Sequence, residues 1–372
     1  MSAHFKTRPG SAANGPIGMA VKGRGAVSNR DGRFERFASE AVDDGWSEAA
    51  DLPPLRTEVL ADTARKVIAR NTSPDIPFDQ SINPYRGCEH GCVYCFARPT
   101  HAYLGMSPGL DFETKLFAKF DAAEKLRAEL SAKAYRCRIL QLGANTDPYQ
   151  PVEKRLKITR GVLEVLAECD HPVSVTTKSD LVLRDLDLLA PMAEKGLATV
   201  AVSVTTLDRE LARRLEPRAP TPEKRLAAIK ALSNAGVPVT VLAAPMIPAL
   251  NDEELEAIIA RSVAAGASAA GYILLRLPGE VAGLFGEWLD AHCPDRADRV
   301  LSRLRASRDG VLYRADWGKR QTGTGVEADL LAMRFIASLR RSGIGEARSG
   351  GHPLDCSRFR RPAAASRQMS LF

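Results

Sequence analysis

From about residue 138 onward, short apolar runs alternate with longer stretches whose apolar residues recur every three or four positions. The runs Arg138–Leu142, Val173–Thr177, Thr199–Val204, Val237–Ala243 and Gly271–Leu275 read as strands. The stretches Lys157–Glu168, Leu181–Glu194, Pro222–Ala235 and Asp252–Ala264 read as amphipathic helices. Gly196, Gly236 and Gly266 stand where helix C-caps are expected, and Ser179, Thr221 and Asn251 where N-caps are expected. Upstream, Ser81-Ile-Asn-Pro-Tyr-Arg-Gly reads as a strand running into a loop rich in cysteine, followed by a helical segment over about Phe112–Ala134. A short helix is expected over Thr57–Ala69, and further helical sequence runs through Gly283–Ala306 and Val326–Arg341.

Near-continuous apolar strands alternating with helices predict a parallel sheet buried on both faces. Counting the strand at Ser81, there are six β/α units. The predicted class is therefore α/β, an incomplete (β/α)6 barrel with parallel strands, because the residues that carry chemistry fall at strand C-terminal ends. The expected organisation is a mostly disordered extension over residues 1–75, a partial barrel with C-terminal helices over 76–343, and a disordered basic tail over 344–372.

Composition sharpens this. The chain has 372 residues, 45% hydrophobic and 26% charged, as in an ordinary globular protein. It has no apolar run of 18 residues, so no membrane span is expected, and Met1–Arg36 lacks the apolar centre of a secretory signal. Seven cysteines, three of them in one loop, point to a reducing compartment, the cytoplasm, rather than to a disulfide framework. The net charge of +7 sits at the ends. Residues 1–40 hold seven Lys/Arg against three Asp/Glu, and 340–372 hold seven against two, which leaves 41–339 at about −2. Basic ends can hold phosphates and so offer nucleic acid as a partner; the other reading is a pair of solvated, disordered ends.

The chemistry is concentrated in Arg86-Gly-Cys-Glu-His-Gly-Cys-Val-Tyr-Cys-Phe96, where Cys88, Cys92 and Cys95 are spaced C-x3-C-x2-C. Three thiolates on one loop can hold three corners of an iron–sulfur cube and leave the fourth iron open for chemistry. Gly87 and Gly91 permit the positive φ that lets backbone wrap a cube, and Tyr94 brings an aromatic ring beside the open iron. Structural zinc is the alternative. Cys92 and Cys95 would form one C-x2-C pair, but there is no second pair. His90 and His101 have no zinc spacing, and Cys137, Cys169, Cys293 and Cys356 stand alone.

The pattern C-x3-C-x-aromatic-C resembles the signature of the radical S-adenosylmethionine (SAM) superfamily. Within it the chain resembles proteins of the spore photoproduct lyase-like group. That narrower likeness rests on Asn145-Thr-Asp-Pro-Tyr-Gln-Pro-Val-Glu153, Thr176-Thr-Lys-Ser179, Ser203-Val-Thr-Thr-Leu-Asp208, Leu215-Glu-Pro-Arg218 and Ala244-Pro-Met-Ile-Pro248. It covers roughly residues 80–340. It implies a [4Fe–4S] cluster that binds SAM at its open iron through the amino and carboxylate groups. It also implies a protein reductant such as flavodoxin or ferredoxin, and a 5′-deoxyadenosyl radical that takes hydrogen from a substrate.

On that resemblance, Thr146 and Asp147 accept from the SAM ammonium, Lys178 pairs with its carboxylate, Ser203 bonds ribose or carboxylate, and Pro245-Met-Ile flanks the adenine. Each has a plainer reading: an Asp-Pro turn, a surface lysine at a helix start, a buried serine satisfied by backbone, and ordinary packing. Tyr149 and Glu153 either face substrate or organise their loop. Glu216 and Arg218 read as a surface ion pair. The likeness breaks at one point. Spore photoproduct lyase has a hydrogen-donating cysteine just before the segment that matches Thr146-Asp147, where this chain has Gly143-Ala144-Asn145. Cys137, at the start of its strand, is at the wrong end to replace it. The substrate, a nucleic acid lesion among the candidates, is therefore not given by the likeness. Two other classes compete with the enzyme: a non-catalytic iron–sulfur protein and a nucleic-acid-binding module.

Overall fold

The computed structural model describes residues 21–35, 55–346 and 353–362. Its strands are β1 (Glu58–Ala61), β2 (Ile68–Arg70), β3 (Gln80–Ile82), β4 (Tyr85–Arg86), β5 (Lys115–Ala118) and β6 (Leu140–Leu142). They continue as β7 (Val173–Thr177), β8 (Ala198–Ser203), β9 (Val239–Met246), β10 (Ala269–Leu274) and β11 (Gly345–Glu346). The main sheet runs β11-β10-β9-β8-β7-β6-β3-β2, and a small sheet runs β1-β5-β4. All pairs from β3 to β11 in the main sheet are parallel; only β2 joins antiparallel. Strands thus follow in chain order, each laid beside the last, as a winding of β/α units in one direction requires. The sheet's end strands, β2 and β11, do not pair with each other, so the sheet is open.

One face carries the core. Val173, Val175, Val200, Val202, Val239, Val241 and Ala243 are fully buried, in one cluster with Leu163, Leu166 and Leu189 of the flanking helices Ile158–Glu168 and Leu186–Glu194. The opposite face is less covered than the sequence suggests. In β7 and β9 the alternate residues Ser174, Thr176, Thr240 and Leu242 are only half-buried. This is the period-two signature of a sheet with one open face. Since the strands are parallel, every strand C-terminus lies along one edge, and the loops that follow β3, β6, β7, β8, β9 and β10 share it.

One expected helix is replaced by strands and a second is interrupted by one. Thr57–Ala69 holds β1 and β2. Phe112–Ala134 divides into a short helix Leu110–Thr114, β5, and a helix Ala122–Ser131. In β5 the fully buried Leu116 and Ala118 alternate with half-buried Lys115 and Phe117, and partners on both sides, β1 and β4, supply its backbone hydrogen bonds. Long-range pairing, invisible to a local pattern, overrides helix propensity there. The caps at Ser179 and Thr221 accept as expected from Leu181 N at 3.2 Å and Lys224 N at 3.5 Å. Asn251 does not cap. It accepts from Ile247 N at 2.6 Å and donates to Thr205 O at 2.7 Å and Pro245 O at 3.0 Å, tying the end of β9 to the loop after β8.

The expectation of unstructured ends falls on residues 1–20, 36–54, 347–352 and 363–372, outside the described residues, but also on 55–75 and 344–346, which hold β1, β2 and β11, and on 21–35 and 353–362, which are seated on the fold. Gly25 N and Ala26 N donate to the two carboxylate oxygens of Glu113 at 3.0 and 2.9 Å. At the other end Asp355 N donates to Gly196 O and Arg360 N to Cys169 O, and Phe359 packs on Tyr135 and His171.

Candidate active site

The loop after β3 and β4 carries the three cysteines to the C-terminal edge of the sheet. Its backbone turns tightly, with Gly91 N donating to Cys88 O and Cys95 N to Cys92 O. Gly87 and Gly91 have φ of +77° and +68°. A Cβ at Gly91 would lie 2.7 Å from the Glu113 carboxylate, so the turn needs glycine on both counts. Arg98, wholly buried, laces the loop from beneath: Nε donates to Cys92 O at 2.9 Å, Nη2 to Gly91 O at 3.2 Å, and Nη2 pairs with Glu113 at 2.5 Å. Nothing in the spacing of the sequence marks Arg98 or Glu113 for this work.

Cys88 and Cys92 are buried and Cys95 half-buried, and all seven cysteines of the chain are free thiols. Burial pushes the Cys88, Cys92 and Cys95 thiols upward, and for Cys88 the Asp147 carboxylate and then the other two thiols add to this. A buried trio of thiolates needs cationic metal to balance it. Among the described residues, no three His, Cys, Asp or Glu side chains converge on the position of a single ion. A cubic cluster asks for one thiolate per iron, so a tight loop of three soft ligands, wrapped by glycine and neutral when unliganded, fits that group.

Beside the loop is a charged network that unites three of the expected residues. Lys178, just past β7, donates Nζ to Ser203 Oγ at 2.7 Å, at the end of β8. The same ammonium lies 3.1 Å from Glu216 Oε1 and 5.7 Å from the centroid of the Tyr94 ring. Tyr94 Oη donates to Glu216, and Thr205 Oγ1 donates to it at 2.6 Å. The other Glu216 oxygen is held by Arg225, whose Nη1 donates to Ser203 O at 3.1 Å. Glu216 is 1% exposed, and Arg225 and Lys178 hold its carboxyl well below the usual range against the opposing effect of burial. The surface pair expected at Glu216 and Arg218 is thereby corrected. Leu215 O and Arg218 N bond the cysteine loop at Val93 N and His90 O, which buries Glu216, and Arg218 pairs with Glu89 instead, at 3.1 Å.

Thr146 and Asp147 stand apart from that network but touch it. Thr146 Oγ1 donates to Tyr85 O at 2.8 Å. Asp147 accepts from Tyr149 N at 2.8 Å, Thr177 Oγ1 at 2.7 Å and Lys178 N at 2.7 Å. His90 Nδ1, buried and without a hydrogen bond, lies 3.4 Å from the same carboxylate. These neighbours, His90 first, outweigh burial and lower the Asp147 carboxyl. Glu153 and Tyr149 are loop organisers: Glu153 accepts from Tyr85 Oη, Thr159 N and Arg184, and Tyr149 Oη donates to Asp185. Cys137 precedes β6 and lies at the opposite edge. There it lines, with Cys356, a cavity of about 740 Å³ that none of the three loop cysteines reaches.

With this geometry in view, likeness to known proteins can be weighed. The Radical SAM superfamily description matches residues 82–261. An uncharacterized protein of Mycobacterium tuberculosis is 41% identical over 250 residues, 67% of this chain and 73% of that protein. An uncharacterized protein of Methanocaldococcus jannaschii is 30% identical over 199 residues, 54% of this chain and 71% of that one. The chain belongs to the radical SAM superfamily. Its fold is similar to that of spore photoproduct lyase complexed with dinucleoside spore photoproduct, with a TM-score of 0.54 and 15% identity over 77% of this chain and 80% of that one. A mutant of that lyase with bound AdoMet and the same dinucleoside gives 0.51 at 16% identity over the same shares. Among the described residues no helix is long and apolar enough to cross a membrane.

Proposed function

We propose that this protein is a radical SAM enzyme, in which Cys88, Cys92 and Cys95 hold a [4Fe–4S] cluster and the remaining iron takes SAM. Support comes first from one observation: the three-cysteine loop sits at the strand C-terminal edge against the Tyr94–Lys178–Ser203–Glu216 network. When bound, the cluster and SAM supply one-electron cleavage of a carbon–sulfur bond, and with it the means to take a hydrogen atom from a substrate. The sheet curls as an incomplete barrel around the site, with residues 76–343 forming the catalytic unit.

The roles of the protein's own groups follow from their chemistry. Asp147, held as a carboxylate, accepts from the SAM ammonium with the lone pairs its three short bonds leave free, and Thr146 fixes the loop that carries it. Lys178, its ammonium set against Glu216, presents that ammonium, with the Ser203 hydroxyl, to the SAM carboxylate or ribose. Tyr94 would set its ring beside the cluster and is fixed by its phenol bond to Glu216. Electrons come from a small protein donor such as flavodoxin or ferredoxin. A nucleic acid is the substrate class suggested by the dinucleoside bound in the lyase structures. Gly143-Ala144-Asn145 offers no thiol there to return a hydrogen, so the likeness does not carry the lyase's outcome over to this chain.

The test is anaerobic reconstitution of the full chain. About four irons per chain are expected, with Cys88→Ala, Cys92→Ala or Cys95→Ala each abolishing the cluster and dithionite plus SAM releasing 5′-deoxyadenosine. One tight zinc and no iron would overturn the assignment. Four irons without SAM cleavage would leave an iron–sulfur protein that is not an enzyme.

A further inference from the structure

The last parallel strand delivers a cation to the same edge. β10 ends at Leu274, Leu275 N donates to Met246 O at the end of β9, and Arg276 follows. Its guanidinium lies 4.7 Å from the centroid of the Phe96 ring, and Phe96 is the residue after Cys95. Among the described residues Arg276 has no carboxylate or carbonyl within ion-pair or hydrogen-bond reach. Burial lowers its guanidinium.

Behind it is a second uncompensated arginine. Arg308 is 1% exposed and donates only to backbone: Nη1 to Arg320 O at 3.2 Å, Nη2 to Leu275 O at 2.6 Å and Leu274 O at 3.3 Å. Its Nε is buried with no partner. Burial and the neighbouring Arg276 push it down to about 10. The third cation nearby, Arg320, is already neutralised, 2.5 Å from Asp75 and stacked over Trp317 at 4.4 Å. Asp75 favours Arg276 only from a distance, its carboxylate being taken by Arg320, and two adjacent guanidiniums short of water with no acid in contact are costly unless an anion joins them. A guanidinium held flat against a ring keeps its outer edge free for bidentate contact with phosphate or carboxylate.

The carboxylate of SAM in its proposed seat already has a cation: Lys178 follows β7, and its ammonium reaches over β8 to Ser203 Oγ and on to Ala244 O of β9, at 3.4 Å. We propose that Arg276, backed by Arg308, seats an oxyanion of the substrate, a phosphate or carboxylate, so that the molecule losing hydrogen is anionic. This rests on the radical SAM reading for what the substrate undergoes, but the anion seat can be tested apart from it.

The test labels arginines of the anaerobically reconstituted full chain with phenylglyoxal and follows each peptide by mass spectrometry, at constant ionic strength. The probe is inorganic pyrophosphate, with and without saturating SAM. Pyrophosphate is expected to slow labelling of Arg276 at least about fivefold in both cases, while the exposed Arg299 reacts unchanged. Slowing by SAM alone would give Arg276 to the SAM carboxylate and overturn the proposal; so would labelling indifferent to pyrophosphate. Pyrophosphate is also expected to raise the thermal midpoint of the full chain, an effect lost in Arg276→Met and kept in part by Arg276→Lys. Equal stabilisation of the Met variant would overturn it. Iron content and SAM binding, measured on the same samples, report separately on the enzyme reading.

Discussion

Glu216 gathers Tyr94, Lys178, Thr205 and Arg225, residues drawn from four separate stretches of chain. That dispersion is why the sequence could not reveal it: a Leu-Glu-Pro-Arg run says nothing of which side chains will meet the glutamate. The loop of Cys88, Cys92 and Cys95 was legible because its spacing is local, three thiols within eight residues. The two cations on Glu216, Arg225 and Lys178, predict different phenotypes. Glu216→Gln keeps the shape but leaves Arg225, wholly buried, without its counter-charge, and breaking such a pair from one side costs about 3–5 kcal/mol. Denaturant unfolding of the variant should show a loss of that order. Lys178→Ala leaves Glu216 still bonded to Arg225, Tyr94 and Thr205, so the fold and the iron content should survive while SAM affinity falls at least about tenfold, a loss of ~1.4 kcal/mol. Equilibrium SAM binding checks this, and an unchanged affinity would remove Lys178 from the site.

At the level of elements, all six parallel strands of the expected winding were legible, because each is a short apolar run closed by a turn or a capped helix. What failed was Thr57–Ala69 and the start of Phe112–Ala134, whose helix holds over Ala122–Ser131; β1, β2 and β5 exist only because distant strands pair with them. The C-terminal segment failed for the same reason. Its basic, Ser/Gly-rich composition reads as tail, yet β11 extends the sheet beside β10 and Phe359 reaches Tyr135 and His171 at the N-terminal edge. The two ends of the strands therefore divide labour, with anchoring at one edge and chemistry at the other. Truncation after Gly343 should lower the thermal midpoint by a few degrees, since about 1 kcal/mol corresponds to roughly 2–4 °C in a domain of this size. Release of 5′-deoxyadenosine, assayed well below that midpoint, should persist. Its loss there would mean that the tail communicates with the site.

Across the whole molecule, the segment 21–35 reads in the sequence as unstructured yet lies against the cysteine loop. It crosses the back of the cysteine loop, where Gly25 N and Ala26 N close onto Glu113. The same Glu113 neutralises Arg98, the residue that laces Cys92 and Gly91 in place. A chain of contacts thus runs from an N-terminal strap, through a buried ion pair, to the ligands of the proposed cluster. The approach is close enough to test with one methyl group. A Cβ on Gly25 would lie 1.8 Å from Gly91 O, backbone against backbone, so neither side can yield without shifting the loop. Gly25→Ala should therefore reconstitute with less iron and lose its visible absorbance faster in air than the parent, even where its secondary structure by circular dichroism is unchanged. Gly23→Ala, two residues earlier, is the control for the strap's own backbone. It carries a positive φ of +76° but has nothing within 4 Å of its Cβ, so it strains the strap without touching the loop. If both variants held iron equally well, the strap would be packing alone, and the cysteine loop would owe its shape to Arg98 and its own glycines.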